Sequence, residues 1–182
     1  MSETTPPQDS HDDRTSATSP ATPADLEAFK QAFRRHAAGV AVVTALTPDG
    51  TPVGFTATSL ASLSAVPPLA TFNIARSASS WPALAETDRV VIHMMGSRNR
   101  DVAQIMSGDN AVRFDGEHWE AGPHGLPVLK GVTSWMVGRI VERLQVHNNA
   151  VVVVQIEQGA LGDEDEALLY HERSYRTPGD PV

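Results

Sequence analysis

Between residues 39 and 74 the chain runs through three short β-branched or small-residue stretches, each closed by a turn signal. No helical pattern separates them. Val40-Ala41-Val42-Val43-Thr44-Ala45-Leu46 is the first. Pro48-Asp49-Gly50 breaks it, with Gly50 able to take a positive φ. Residues 53–60 form the second stretch, so the two predict a hairpin. Pro67-Pro68 interrupts the chain again, and Leu69-Ala70-Thr71-Phe72-Asn73-Ile74 predicts a third strand. Strands in direct succession are incompatible with the strand–helix alternation of a doubly wound parallel sheet.

The remainder continues this trend. Residues 89–95, 132–146, 150–157 and 167–171 read as strands, the two long ones joined near His147-Asn148-Asn149. Helical spacing is confined to three places. Leu26, Phe29, Phe33 and Ala37 recur over residues 23–37, with Thr22 and Asp25 spaced to cap and Pro23 suited to the first turn. A short helix follows Ser79-Ser80 over residues 81–84. A third spans residues 99–107 and ends at Gly108. Residues 115–131 read as a turn-rich loop. About six strands and two or three short helices predict a mainly β fold, an antiparallel barrel with peripheral helices.

Composition narrows the function classes. The 182 residues carry a net charge of −8 and no cysteine. A basic nucleic-acid-binding patch is lacking, and an acidic surface disfavours anionic membranes. Disulfides, cysteine-ligated metals and cysteine nucleophiles are excluded. No apolar run reaches the ~18 residues of a membrane span, and the N-terminus lacks a basic-plus-apolar signal pattern. Cytoplasmic location is the expectation. Residues 1–24, rich in Ser, Thr, Pro and Asp, predict a disordered tail. A folded domain is expected over residues 25–176, with fraying over 177–182. The seven histidines show no metal-ligand spacing, so no metal site is expected.

The stretches GVAVVTA (39–45), PVGFTATSLASLSAVPPLATFNI (52–74), SSWPAL (79–84), GLPVLKG (125–131) and LLYHERSY (168–175) occur in an order that resembles the flavin reductase-like family. The block from Gly54 to Pro68, with Ser79-Ser80-Trp81 following, is the specific part. The resemblance implies an FMN-binding split β-barrel of antiparallel, Greek-key type. It implies a homodimer that binds FMN or FAD and reduces it with NADH or NADPH, often supplying a partner monooxygenase through diffusible flavin.

These residue types suit that chemistry. The cofactor supplies the redox reaction, and the protein supplies position and electrostatics. In a strand, Thr56 and Thr58 share one face while Phe55, Ala57 and Ser59 share the other. With Gly54, these small residues let a flat ring approach the backbone; Ser62 continues the block. An ordinary strand rich in Thr for its β-propensity is the plainer reading. Arg76, Ser77, Ser79 and Ser80 stand at a strand-to-helix junction and predict a phosphate site; a capped, solvated serine turn is the alternative. Trp81 reads as core. Asn73 is either a hydrogen-bonding partner of the flavin or a strand-end polar residue. Hydride transfer from nicotinamide to the flavin N5 needs close stacking and no side-chain acid or base.

By resemblance the C-terminal element closes over the flavin and nicotinamide, placing His171 or Tyr175 near either ring; a packed terminal strand is the alternative. One departure stands out. Typical reductases carry Gly-Asp-His at the turn before the long penultimate strand, with that His at the nicotinamide. Here the turn reads His147-Asn148-Asn149, and His147 is displaced two residues, ~7 Å along a strand. His147 and Asn149 are the candidates for nicotinamide contact. A protein that binds flavin as carrier or sensor, without nicotinamide turnover, is the rival reading.

Overall fold

The computed structural model describes residues 20–180, in two compact units that divide between Phe33 and Arg34. Most of the tail expected over residues 1–24 lies outside the described residues. Regular structure begins at Pro23, in helix α1 (Pro23–Arg35). The expected cap is present: Asp25 N–H donates to Thr22 Oγ1 at 3.2 Å, and Thr22 N–H and Oγ1–H donate to the Asp25 carboxylate at 2.9 and 2.6 Å. These bonds hold the Asp25 carboxyl below its ordinary pKa. The apolar stripe of α1 is at the surface: Leu26, Phe29 and Phe33 are 50%, 62% and 63% exposed.

The second unit carries twelve strands: β1 (Ala38–Gly39), β2 (Ala41–Leu46), β3 (Pro52–Ala57), β4 (Ala61–Ala65), β5 (Pro68–Ala75), β6 (Arg89–Met94), β7 (Trp119–Ala121), β8 (Pro127–Leu129), β9 (Ser134–Val146), β10 (Asn149–Leu161), β11 (Leu169–His171) and β12 (Ser174–Arg176). Helix α2 (Trp81–Glu86) follows β5 and α3 (Arg100–Ser107) follows β6. Seven strands form one antiparallel sheet in the order β3-β2-β6-β9-β10-β5-β4. The mainly antiparallel β class with few short helices is as expected. Strands β1, β11 and β12 form a small separate sheet, and β7 pairs with β8.

Strand β2 explains its own unbroken apolar sequence. Val43 and Ala45 face one core with Phe72, Leu84, Ile92 and Val152. Val42 faces a second core with Met95, Met106, Leu129 and Leu168. A strand buried on both faces needs no polar alternation. Trp81 packs against the first core, as read.

Four local expectations are corrected. The second strand stops at Ala57 rather than residue 60, because Ser59 turns its hydroxyl onto the Asn73 backbone. Strand β4 was not foreseen; its Ala-Ser-Leu-Ser-Ala sequence has weak β-propensity, and pairing with β5 supplies its order. The turn-rich stretch 115–131 contains β7 and β8. Strand β12 extends the C-terminal element through Arg176, and residues 177–180 carry no regular structure.

Candidate functional site

Strand β3 ends the seven-stranded sheet, so half of its backbone polar groups have no neighbouring strand. The hairpin fixes which half. Thr47 N–H donates to the Thr51 carbonyl at 2.9 Å, setting the antiparallel alternation from the turn onwards. With Thr44 opposite Gly54 and Val42 opposite Thr56, the Pro52, Gly54 and Thr56 groups face outward. Proline, lacking an N–H, suits that phase. Consistently, the Gly54 carbonyl accepts bonds from outside the ladder: from Arg113 Nη1 at 2.7 Å and Ser80 Oγ at 3.0 Å.

Side chains follow the same alternation. Phe55 and Ala57 turn into the first core, where the Phe55 ring meets Phe72 at 5.8 Å between centroids. Thr56 turns the other way and donates to the Ala103 carbonyl of α3 at 2.6 Å. Its hydroxyl is thus committed to holding α3. The Thr56 main-chain N–H and C=O remain at the rim. Gly54 sits in a crowded position: a Cβ there would lie 3.0 Å from the Val43 carbonyl oxygen and 3.1 Å from Phe114.

Beside this rim lies a cleft of about 340 Å³. Residues 55–59 form one wall and residues 73–75 the other, with Met106, Ser107 and Arg113 at its end. The walls are tied together: Asn73 N–H donates to Ser59 Oγ at 2.9 Å. Thr58, Asn73, Ala75 and Ser107 are exposed, so the cleft opens to solvent. A second cleft of about 330 Å³ adjoins it, lined by residues 51–54 together with Asn110 and Phe114. Arg113 lines both. The volume is within the ordinary range for small-molecule sites. Small side chains beside a strand edge that offers both N–H and C=O groups fit the flat, donor-and-acceptor edge of a flavin ring.

The other expected site residues are distributed unevenly. Gly54, Phe55, Thr56, Ala57, Thr58, Ser59 and Asn73 come together at the two clefts. Ser62 does not; on β4 it lines a separate, largely apolar cleft with Leu60, Met136 and Ile156. Ser79 and Ser80 both line the second cleft; Ser79 is exposed, whereas Ser80 is buried and its hydroxyl donates to the Gly54 carbonyl. Ser77 is exposed in the same turn. Arg76 turns away from both clefts: its Nη1 donates to the His147 carbonyl at 3.3 Å, and its backbone N–H to Asn148 O at 2.7 Å.

Those bonds place the His147-Asn148-Asn149 turn at the end of β5. Asn149 pairs with Ala75, which lines the cleft. His147 has φ 49°, in the left-handed region. The C-terminal element is further off. His171 Nε2 lies 3.1 Å from the Arg35 carbonyl and does not line either cleft. Tyr175 packs in the second core beneath α3, where burial raises its phenol pKa against a hydrogen bond with Ser107. Tyr175 lines neither cleft, and it shares its hydrogen bond and its core with Ser107 and Met106, which line the first.

Arg113, Met106 and Ser107 escaped the sequence reading. Arg113 contacts Gly54 across 59 residues, from a stretch with no regular pattern. Met106 and Ser107 were read only as the end of a helix.

With this geometry in view, four likenesses bear on it. The family described as flavin reductase like domain matches residues 33–179. An NADH:FMN oxidoreductase of Rhodococcus erythropolis is 39% identical over 155 residues, 82% of this chain and 80% of the relative. An FMN reductase (NADH) RutF of Methylorubrum extorquens is 33% identical over 165 residues, 90% of this chain and 80% of the relative. Among solved structures, a flavin reductase domain protein from Arthrobacter sp. FB24 is 50% identical, covers 86% of this chain and 98% of its own, and superposes with a TM-score of 0.83. The match over residues 33–179 spans the clefts, the strand edge and the β9–β10 turn together, and the chain belongs to the flavin reductase like domain family.

Proposed function

We propose that this protein is an NADH- or NADPH-dependent flavin reductase acting on FMN or FAD. The observation that carries the reading is the open cleft against the outward-facing backbone of β3, in a chain 39% identical to an NADH:FMN oxidoreductase. When bound, the flavin supplies the redox chemistry by accepting a hydride from reduced nicotinamide. The chain's own residues bind and orient. The Thr56 main chain meets the ring edge, residues 57–59 leave room for the ring, and the Ser59–Asn73 bond sets the width of the slot. The exposed rim at Thr58 and Ser107 supports a flavin that exchanges with solvent, as delivery to a partner monooxygenase requires. The cysteine-free sequence supports a cytoplasmic setting. Among the described residues no helix is long and apolar enough to cross a membrane. A homodimer is supported by apolar side chains left at the surface, Leu144, Val146, Val66 and Leu161 among them.

The test is loss of NADH absorbance on mixing purified protein with each flavin and each nicotinamide. Turnover with at least one pairing is expected; none with any pairing overturns the reading. A second reading, flavin binding without nicotinamide turnover, draws on the His147-Asn148-Asn149 turn beside Ala75. Flavin that co-purifies with protein unable to oxidise NADH or NADPH would favour it.

A further inference from the structure

Helix α1 keeps its apolar stripe in water. None of its residues is buried, and Leu26, Phe29 and Phe33 are half or more exposed. The two phenyl rings lie 4.7 Å apart between centroids and form one ledge. The helix is nonetheless capped at both ends. Thr22 and Asp25 close its first turn. At its far end the Arg34 carbonyl accepts from the Glu172 N–H at 3.1 Å, and the Arg35 carbonyl lies 3.1 Å from His171 Nε2. A helix of 13 residues is marginal in water by itself, so these ties hold the ledge in shape. Charge is ordered along one flank of the stripe. Glu27 comes first, then Lys30 and Arg34 at helical spacing. Among the described residues neither cation forms an ion pair within its own chain.

We propose that α1 pairs antiparallel with α1 of a second copy, an inference that rests on the homodimer reading above. Two phenylalanines and a leucine on one exposed ledge are the mark of a contact surface. A two-fold contact requires a patch that complements itself, and α1 meets that condition. With the axis beside Phe29, Leu26 lies against Phe33 of the partner subunit, and the apolar ledge closes on its own copy. In antiparallel helices each flank faces the same flank of its mate. Glu27 then falls level with the gap between Lys30 and Arg34 of the partner subunit, so opposite charges meet, and symmetry makes the contact twice. Opposed macrodipoles favour the same direction. A parallel pair would instead bring the acidic first turns together, Asp25 and Glu27 of one copy beside those of the other.

The chain has no cysteine, so one introduced thiol is a specific probe. Packed helices lie about 8–10 Å apart, which brings only seam residues beside the axis within the roughly 4.4–6.8 Å between Cα atoms that a disulfide spans. Full-length Phe29→Cys and Ala28→Cys are to be oxidised at micromolar concentration and separated on non-reducing gels. Phe29→Cys gives chiefly a covalent dimer. Ala28→Cys, exposed on the far side of the helix, does not. Equal cross-linking by the two, or none by Phe29→Cys, overturns the pairing. Light scattering on Phe29→Glu, which sets two carboxylates at the axis, shows the dimer Kd raised at least about tenfold; an unchanged Kd overturns the pairing as well. Should the cysteine variants fail to fold, a charge exchange decides. Glu27→Arg raises the dimer Kd by about two- to tenfold, and adding Arg34→Glu restores it. The two positions stand about 10 Å apart along one helix, so restoration can arise only between copies; its absence refutes the pairing. A wild type that scatters as a monomer refutes the homodimer reading itself, whereas a dimer indifferent to these changes refutes the helix contact alone.

Discussion

His93 Nε2 accepts the Leu129 N–H at 3.0 Å, while Nδ1 on the other side of the ring lies 3.0 Å from the Val42 carbonyl. One nitrogen must accept and the other donate, so the imidazole is neutral with its proton on Nδ1. It is fully buried on β6, which lies between β2 and β9 in the sheet, with β8 packed against β2 and β6. Burial pushes its pKa down to about 4, against the lesser opposing effect of the Val42 bond.

Stability should therefore fall with acid in a defined window. Above the unfolded value of 6.5 neither state holds the proton, and the neutral ring's contribution is complete. Below it the unfolded chain protonates first. Folding then loses about 1.4 kcal/mol per pH unit until about pH 4, where the folded ring also protonates. Urea unfolding midpoints measured from pH 7.5 downwards, in the wild type and in His93→Gln, check this. Equal slopes in the two proteins would mean that His93 is not the cause.

Gly54→Ala tests the crowding at the strand edge. The added carbon meets the Val43 carbonyl oxygen at 3.0 Å and the Phe114 and Thr44 side chains at 3.1 Å, so its neighbours must give by a few tenths of an ångström. Overpacking of this kind costs about 1–3 kcal/mol. A lower melting temperature together with a raised flavin KM is the expected pair of results. Native values for both would show that the rim tolerates movement.

Ser59→Ala removes the link between the two walls of the cleft. The Asn73 N–H loses its 2.9 Å acceptor and must find water. The expected cost is about 1 kcal/mol, seen as a fall of about 2–4 °C in melting temperature. Flavin affinity should weaken because residues 58–60 are no longer held against β5. Calorimetry and flavin titration on the same variant measure the two effects; affinity at the wild-type value would remove Ser59 from the account of the slot.

Oligomeric state can be read by light scattering. Val66 and Leu161 are each 89% exposed and Leu144 is 58% exposed, apolar area that a second copy would remove from water. Twice the monomer mass is expected at micromolar concentration. The valines at residues 151–154 contribute little to this surface, because Val152 and Val154 are buried in the first core. A monomeric mass would count against the dimer.

The sequence carried the parts of the fold that are encoded locally. The β2–β3 hairpin, the Thr22–Asp25 cap, the helix ending at Gly108 and the long β9–β10 pair all rest on short-range patterns. Strand β4 was illegible because Ala61, Ser62, Ser64 and Ala65 carry no strand preference of their own. The site divides the same way. Residues 54–59 form a contiguous block with the right alternation, and they do line the clefts. Arg113 was hidden because its importance lies in the distant residues it touches. Conversely, Arg76 and Ser80 had suggestive positions, but the backbone carbonyls of His147 and Gly54 claim them.

The outward-facing groups of β3 have a bearing on handling as well as on binding. A sheet that ends in a bare rim at Thr56 can add a strand from another molecule, and such additions grow into precipitates. A flat ligand lying along that rim removes the template. If flavin lies there as proposed, concentrated stocks stored with it are expected to stay clear for longer than stocks stripped of it.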